Sequence, residues 1–165
     1  MKLMVSAKPF TADLKSVLPA VAARSGLPML SGVRLEGSDG DLSIEATDLE
    51  LTARCVVRGD VMIDRAGSVV VPAKALVKAV AAMSEPEIVL ESHSSDGRAA
   101  LDMRADTRTV TLQGWPTDDW PAVPHMLIRI RIMLNLAIAS GISITARYYG
   151  LDKRLQTTSG RSHRC

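Results

Sequence analysis

Aromatic residues are nearly missing from this chain: one Phe, two Trp and two Tyr, or 3% of 165 residues. Its core must therefore be aliphatic. Cysteine is scarcer still, with Cys55 and the terminal Cys165 only, which excludes a disulfide framework. Cys55 falls at an inward strand position and reads as a small buried hydrophobe rather than a reactive thiol. No apolar run follows Lys2 and Lys8 at the length a signal peptide needs, so a cytoplasmic protein is expected. The uncharged stretch from Ile132 is shorter than the roughly 18 residues of a membrane helix, and no membrane partner is expected.

Catalytic signatures are lacking as well. His93, His125 and His163 are far apart with no ligand spacing, and neither a nucleophile elbow nor a Gly-rich phosphate loop occurs. Asp39, Asp41, Asp48 and Glu50 fall in turns or on outward strand positions, where solvated carboxylates belong; Asp118-Asp119 is a second acidic pair. No metal, cofactor or enzymatic activity is expected.

What is present is alternation. Within each run from Val33 to Val57, the residues Val33 and Leu35, then Leu42, Ile44 and Ala46, then Leu49, Leu51, Ala53, Cys55 and Val57 take one parity. Arg34, Glu36, Ser43, Glu45, Glu50, Thr52 and Arg54 occupy the other. A strand with one face on a core and one in water needs this period of two. Breaks at Ser38-Asp39-Gly40-Asp41 and Thr47-Asp48 let the chain reverse, so the stretch predicts a three-strand meander.

Before it, Lys2 to Ala7 predicts a strand, and Pro9 to about Ala23 an amphipathic helix through Leu14, Val17, Leu18, Val21 and Ala22. Pro9 suits a first helical turn and Asp13 would lie near the positive end of the dipole, while Pro19 should kink or shorten the helix. A turn region is expected around Asp60 to Gly67. The plan then starts again. Ser68 to Val71 reads as a strand, Pro72 to Met83 as a helix with Leu76, Val77, Val80 and Ala81 on one face, and Glu87–Glu91, Ala99–Arg104 and Thr109–Gln113 as strands.

Val5-Ser6-Ala7-Lys8 and Val71-Pro72-Ala73-Lys74 enter the two helices, and Asp39-Gly40 and Asp96-Gly97 turn matching hairpins. Two strand-helix-three-strand repeats, each with a helix on one face of its sheet, can form one pseudo-symmetric α+β domain over residues 1–124. Trp115 and Trp120, beside Pro116 and Pro121, read as packing at its end.

Charge divides the chain at the same place. Through Pro124 there are 13 basic and 17 acidic residues, a net −4, whereas residues 125–165 carry +6 with Asp152 as their one acid. This second segment is a basic, apolar tail: Arg129 and Arg131, two apart, suit a strand better than one helical face, although a surface amphipathic helix remains an alternative.

Arg24 with Leu27-Pro28-Met29-Leu30, Gly40-Asp41-Leu42-Ser43-Ile44 leading to Thr47-Asp48-Leu49-Glu50, Val71-Pro72-Ala73-Lys74, the hairpin closing at Gln113, and Trp120-Pro121-Ala122-Val123-Pro124 together carry a resemblance. In their order and spacing the chain resembles the first domain of the bacterial sliding clamp, the beta subunit of DNA polymerase III. The resemblance implies the DNA clamp fold and a non-catalytic processivity factor in DNA replication, in which helices line a ring closed around double-stranded DNA. It implies DNA polymerase III and the clamp loader as partners, with the family's peptide pocket on later domains and so expected to be absent here. The family's ring has two subunits of three domains each, and residues 125–165 do not resemble a second domain. A single-domain or truncated clamp is expected, with a homo-oligomer as one route to a ring and an altered reading frame after Pro124 as one origin of the tail.

A helix facing DNA in such a ring needs positive charge without base-reading chemistry. By resemblance, Arg24 and Lys74 match positions where the family contacts the DNA backbone. Lys78 shares a helix face with Lys74, and Lys15 and Lys8 belong to the first helix; these three rest on helical geometry. The alternative, from another class, is a small structural or protein-interaction module that assembles through its sheet edges and does not bind DNA.

Overall fold

Two alanines, Ala7 and Ala73, each open a helix directly behind a strand, and that coincidence lays out the architecture. The computed structural model describes residues 1–121 except 58, 84, 96 and 107, together with the backbone of residues 142–146. The first unit runs β1 (Lys2–Ser6), α1 (Ala7–Val17), β2 (Gly32–Ser38), β3 (Asp41–Thr47) and β4 (Leu51–Val56). The second runs β6 (Gly67–Pro72), α2 (Ala73–Ala81), β7 (Glu87–Ser95), β8 (Arg98–Ala105) and β9 (Arg108–Gly114), with β5 (Val61–Arg65) between the units and β10 (Ile142–Ala146) beyond them. The repeat holds residue by residue inside the helices. Ala7, Phe10 and Leu14 of α1 and Ala73, Leu76 and Val80 of α2 stand at the same steps from each helix start, and all six are buried.

The units do not keep their own first strands. One sheet has the order β5-β1-β7-β8-β9 and the other β10-β4-β3-β2-β6. Thus β1 pairs antiparallel with β7 of the second unit, and β6 pairs antiparallel with β2 of the first. This corrects the expectation of one helix and one sheet per unit: each meander is completed by the strand that belongs to the other. Leu3 and Val5 then join Ile88, Leu90, Leu101 and Met103, while Val69 and Val71 join Val33, Leu35, Leu42 and Ile44, in a single buried cluster with both helices. The helices touch each other; α1 lies against β3 and β4, and α2 against β6 and β2.

Several local expectations are corrected. Val61–Arg65 is a strand rather than part of a turn, paired antiparallel with β1. Its alternation is real but shallow: Val61 and Ile63 pack half-buried against the core and Met62 is exposed, among charged neighbours that hide the period. The first helix ends at Val17, and Pro19 lies in a 3-10 turn, Leu18–Ala20; a second such turn, Pro28–Ser31, precedes β2. Asp13 is mid-helix and buried rather than near the helix start. Leu49 leaves the inward set: it sits at the tip of the β3–β4 turn with φ +79 and is exposed. Asp48 accepts from the N–H groups of Glu50 and Leu51 there, and Thr47 from that of Leu49, so side-chain bonds hold a conformation leucine rarely adopts. Ser43, Glu45 and Thr52, expected to face water, are buried. Trp120 packs with Met29, Val70 and Trp115, and its indole N–H donates to Glu45 at 2.7 Å. The tryptophans thus cover the outward face of the second sheet.

Of the tail, β10 is described and is paired with β4; the remaining readings for residues 125–165 lie outside the described residues. The outer face of the first sheet carries a charge ladder: Lys2 pairs with Asp64, Arg65 and Arg104 with Glu91, and Arg104 and His93 with Asp102.

Two measurements check this arrangement. A methyl group on Gly114 would collide with the carbonyl oxygen of Val70, where the end of β9 crosses onto β6. Backbone cannot yield as a side-chain tip does, so chemical denaturation of Gly114→Ala should show a loss of about 1–3 kcal/mol. In the ladder, the Thr111 hydroxyl bonded to Asp102 at 2.7 Å, with His93 and Arg104 adding positive charge, holds the Asp102 carboxyl below the usual carboxylate range. A carboxyl whose pKa is depressed by folding contributes stability above its unfolded value, about 3.9, and loses it as pH falls through the folded value. Thermal melts between pH 6 and 2 should therefore fall less steeply below about pH 4 for Asp102→Asn than for the unmodified chain.

Candidate nucleic-acid interface

The basic residues sort by location. Of the strand cations, Lys2, Arg34, Arg54, Arg65 and Arg104 lie within 4.0 Å of a carboxylate, whereas Arg108 donates to the Ala82 carbonyl and Arg98 makes no ion pair among the described residues. Sheets favour this, because residues opposite one another on neighbouring strands bring their side chains together. The helical cations behave differently. Lys8 and Lys15 on α1 and Lys74 and Lys78 on α2 are exposed, and none makes an ion pair among the described residues. Neither helix has an acid in its first turn, and the acid α1 does contain, Asp13, is turned into the protein.

Each lysine is exposed for a local reason. The buried positions of α2 are Ala73, Leu76, Ala79 and Val80, which puts Lys74 and Lys78 together on the opposite side, one turn apart. On α1 the buried set Ala7, Phe10, Asp13, Leu14 and Val17 leaves Lys8 and Lys15 two turns apart on a shared flank. That flank borders a groove of about 590 Å³ which Lys8, Thr11 and Lys15 line together with Val80, Ala81 and Met83 from α2 and beyond, and with the carboxylate-bearing Glu85. As the matching helix entries imply, Lys8 and Lys74 are each the second residue of their helix, and so equivalent in the two units.

Arg24 stands apart from the helices. It is exposed in the irregular segment between the two 3-10 turns, without an ion pair among the described residues. The structure thus brings Lys8 and Lys15 to one groove and Lys74 and Lys78 to one helix face, and places Arg24 on a separate loop. What the arrangement offers chemically is four exposed ammonium groups on the helices, compact point charges that can meet an anion, and the planar guanidinium of Arg24 on its separate loop. Among the described residues no group of three His, Cys, Asp or Glu side chains could hold a metal ion. No helix among them is long and apolar enough to cross a membrane.

Residues 1–124 match the family model for the DNA polymerase III beta subunit, N-terminal domain. The beta sliding clamp of Chlamydia trachomatis is 26% identical over 135 residues, covering 82% of this chain and 31% of that protein. That of Streptomyces coelicolor is 28% identical over 141 residues, covering 86% and 36%. That of Halalkalibacterium halodurans is 31% identical over 124 residues, covering 70% and 31%. Among solved structures, the beta sliding clamp of C. crescentus superposes with a TM-score of 0.69 at 27% identity, over 76% of this chain and 33% of that one. The DNA polymerase sliding clamp of Bacillus subtilis shares the fold, with a TM-score of 0.70 at 22% identity over 75% and 33%. The chain spans about a third of the length of these relatives. From its exchanged-strand repeat to its family match, the chain belongs to the DNA polymerase III beta subunit family, through that family's N-terminal domain.

Proposed function

We propose that residues 1–124 act as a sliding-clamp domain in DNA replication: a non-catalytic, cytoplasmic processivity element that holds duplex DNA by its phosphates. Lys8, Lys15, Lys74, Lys78 and Arg24 supply the contacts. The observation that carries this reading is the segregation of charge. Five of the seven strand cations lie within 4.0 Å of a carboxylate, while among the described residues the helix lysines make no ion pair, on a domain whose overall charge through Pro124 is negative.

That combination suits a protein that must stay near DNA without gripping any one sequence. A static binder is usually basic throughout, whereas a few free ammonium groups on an acidic body give contacts that break and re-form as the duplex moves. Lysine fits the task better than a bidentate reader, since a point charge has no preferred base and tolerates a sliding phosphate. Membership of the clamp family supports DNA polymerase III and a clamp loader as partners, and homo-oligomerisation as the means of surrounding DNA. A pocket for their peptides is assigned to domains other than this one.

The test is retention of a fluorescent duplex measured against salt concentration. Each phosphate contact contributes a slope of about −0.9 in log affinity against log salt, with nonspecific binding near the 10⁻⁴ M end of the usual range. Lys74→Ala combined with Arg24→Ala should flatten that slope by about two units of contact, and adding Lys8→Ala should flatten it further by about 0.9. No retention at low salt would favour the reading as an interaction module without DNA binding.

A further inference from the structure

The groove between the two helices has walls held in place by backbone attachments. The Ala7 N–H at the start of α1 donates to the Pro86 carbonyl at 2.8 Å, which ties the segment after α2 to the first turn of α1. Arg108 of β9 donates to the Ala82 carbonyl at 2.7 Å, and the Met83 N–H donates to the Val80 carbonyl at 3.1 Å. The two helices are themselves in contact. The result is a pre-formed groove of about 590 Å³, within the roughly 300–1,000 Å³ typical of small-molecule sites.

Its lining is of two kinds. Lys8, Thr11, Ala12 and Lys15 recur at the helical spacing that puts them on one face of α1. Val80, Ala81, Met83 and Pro86, from α2 and the segment after it, are apolar. Ala12, Ala81 and Pro86 leave apolar carbon exposed to water. The Thr11 hydroxyl already donates to the Ala7 carbonyl at 2.7 Å. The donors left for a ligand are therefore the Lys8 and Lys15 ammonium groups, whose positions on α1 are about 10 Å apart along the helix axis. Glu85 is the acid of the lining, so two lysines and one glutamate give it a net charge of +1.

We propose that this groove binds a small amphipathic monoanion from solution, a carboxylate or sulfonate carried on an apolar body. Charge complementarity and the apolar lining select it together. A bare phosphate meets the lysines but leaves Ala12, Ala81 and Pro86 in water. An uncharged hydrocarbon covers those carbons but leaves two ammonium groups beside it without a counter-ion. A second copy docked groove to groove would set Lys8 and Lys15 against their own counterparts, since a two-fold contact uses the same patch on both sides. Glu85 repels a second negative charge, which sets the preference for a monoanion. The short side chains of Ala12 and Ala81 keep the groove open, and a longer one at either position would fill it.

This inference does not rest on DNA binding, and its readout is the heat of binding a small molecule. Titration calorimetry of the full chain with decanoate, kept below its micellar concentration, should show one saturable site. Lys8→Ala combined with Lys15→Ala should weaken it at least about tenfold. Lys74→Ala combined with Lys78→Ala, the same loss of charge outside the groove, should change it by less than about twofold. Glu85→Gln should tighten it about threefold. Ala12→Leu and Ala81→Leu, at exposed helix positions that accept leucine, should each weaken it at least about tenfold by filling the groove. Decyltrimethylammonium, of the same chain length and opposite charge, should not saturate the site. No saturable heat with decanoate, equal weakening by the two lysine pairs, or unchanged binding in both leucine variants would overturn the site. Decyltrimethylammonium binding as tight as decanoate would overturn the anionic class. Retention of the chain on phosphatidylglycerol vesicles without binding of free decanoate would overturn a ligand taken from solution.

Discussion

The exchange of first strands between the two units is the constraint on which the rest depends. Neither meander reaches its buried form without the strand delivered by the other unit: β1 lies beside β7, and β6 beside β2. Local sequence can nucleate each hairpin, but the core that Leu3, Val5, Val69 and Val71 complete forms only when residues distant along the chain meet. Such pairing costs loop-closure entropy before any apolar contact offsets it, so the two units should gain their stability together. The same crossing brings β9 so close to β6 that a glycine, Gly114, is the residue that fits.

Strand exchange also explains where the charges go. Each sheet packs one face on the shared core and turns the other outward, and there the long cationic side chains of neighbouring strands find carboxylates across the ladder. Among the described residues the helix lysines make no ion pair. The buried faces of the helices are set by Phe10, Leu14, Leu76 and Val80, and the lysines opposite project into solvent. An acidic domain thereby presents a cationic helix surface, which total charge conceals. Surface pairs of the first kind contribute little to stability, so their main physical effect is to silence positive charge on the sheet faces and leave it on the helices.

Sheet edges are the third consequence. An exchanged-strand domain has two sheets and four edges, and every edge exposes unpaired backbone groups unless something covers it. Trp115 and β10 are two different covers, one continuing directly from the second meander and one returning from the tail. They leave β9 as the edge with the most exposed hydrogen-bonding capacity among the described residues.

Much of this was legible in the residues. Period-two alternation from Val33 to Val57, the helical spacing in Leu76 and Val80, and the turns at Asp39-Gly40 and Gly97 encode their elements locally, because side-chain direction follows directly from backbone period. The repeat and the resemblance were likewise readable, as was the exposure of Lys8, Lys15, Lys74 and Lys78 from the apolar face opposite them. Other features had no local signal. Val61–Arg65 alternates too weakly to be told from a loop, Leu49 looks inward by parity until the turn takes it out, and Glu45 appears solvated until Trp120 arrives from far along the chain. What the sequence by itself determined was the identity of the elements and the side of each that is apolar, since those depend on neighbours a few residues away. Which strand completes which sheet, which cations keep a carboxylate and which edge is covered were decided by tertiary structure, since each depends on groups that meet only after folding.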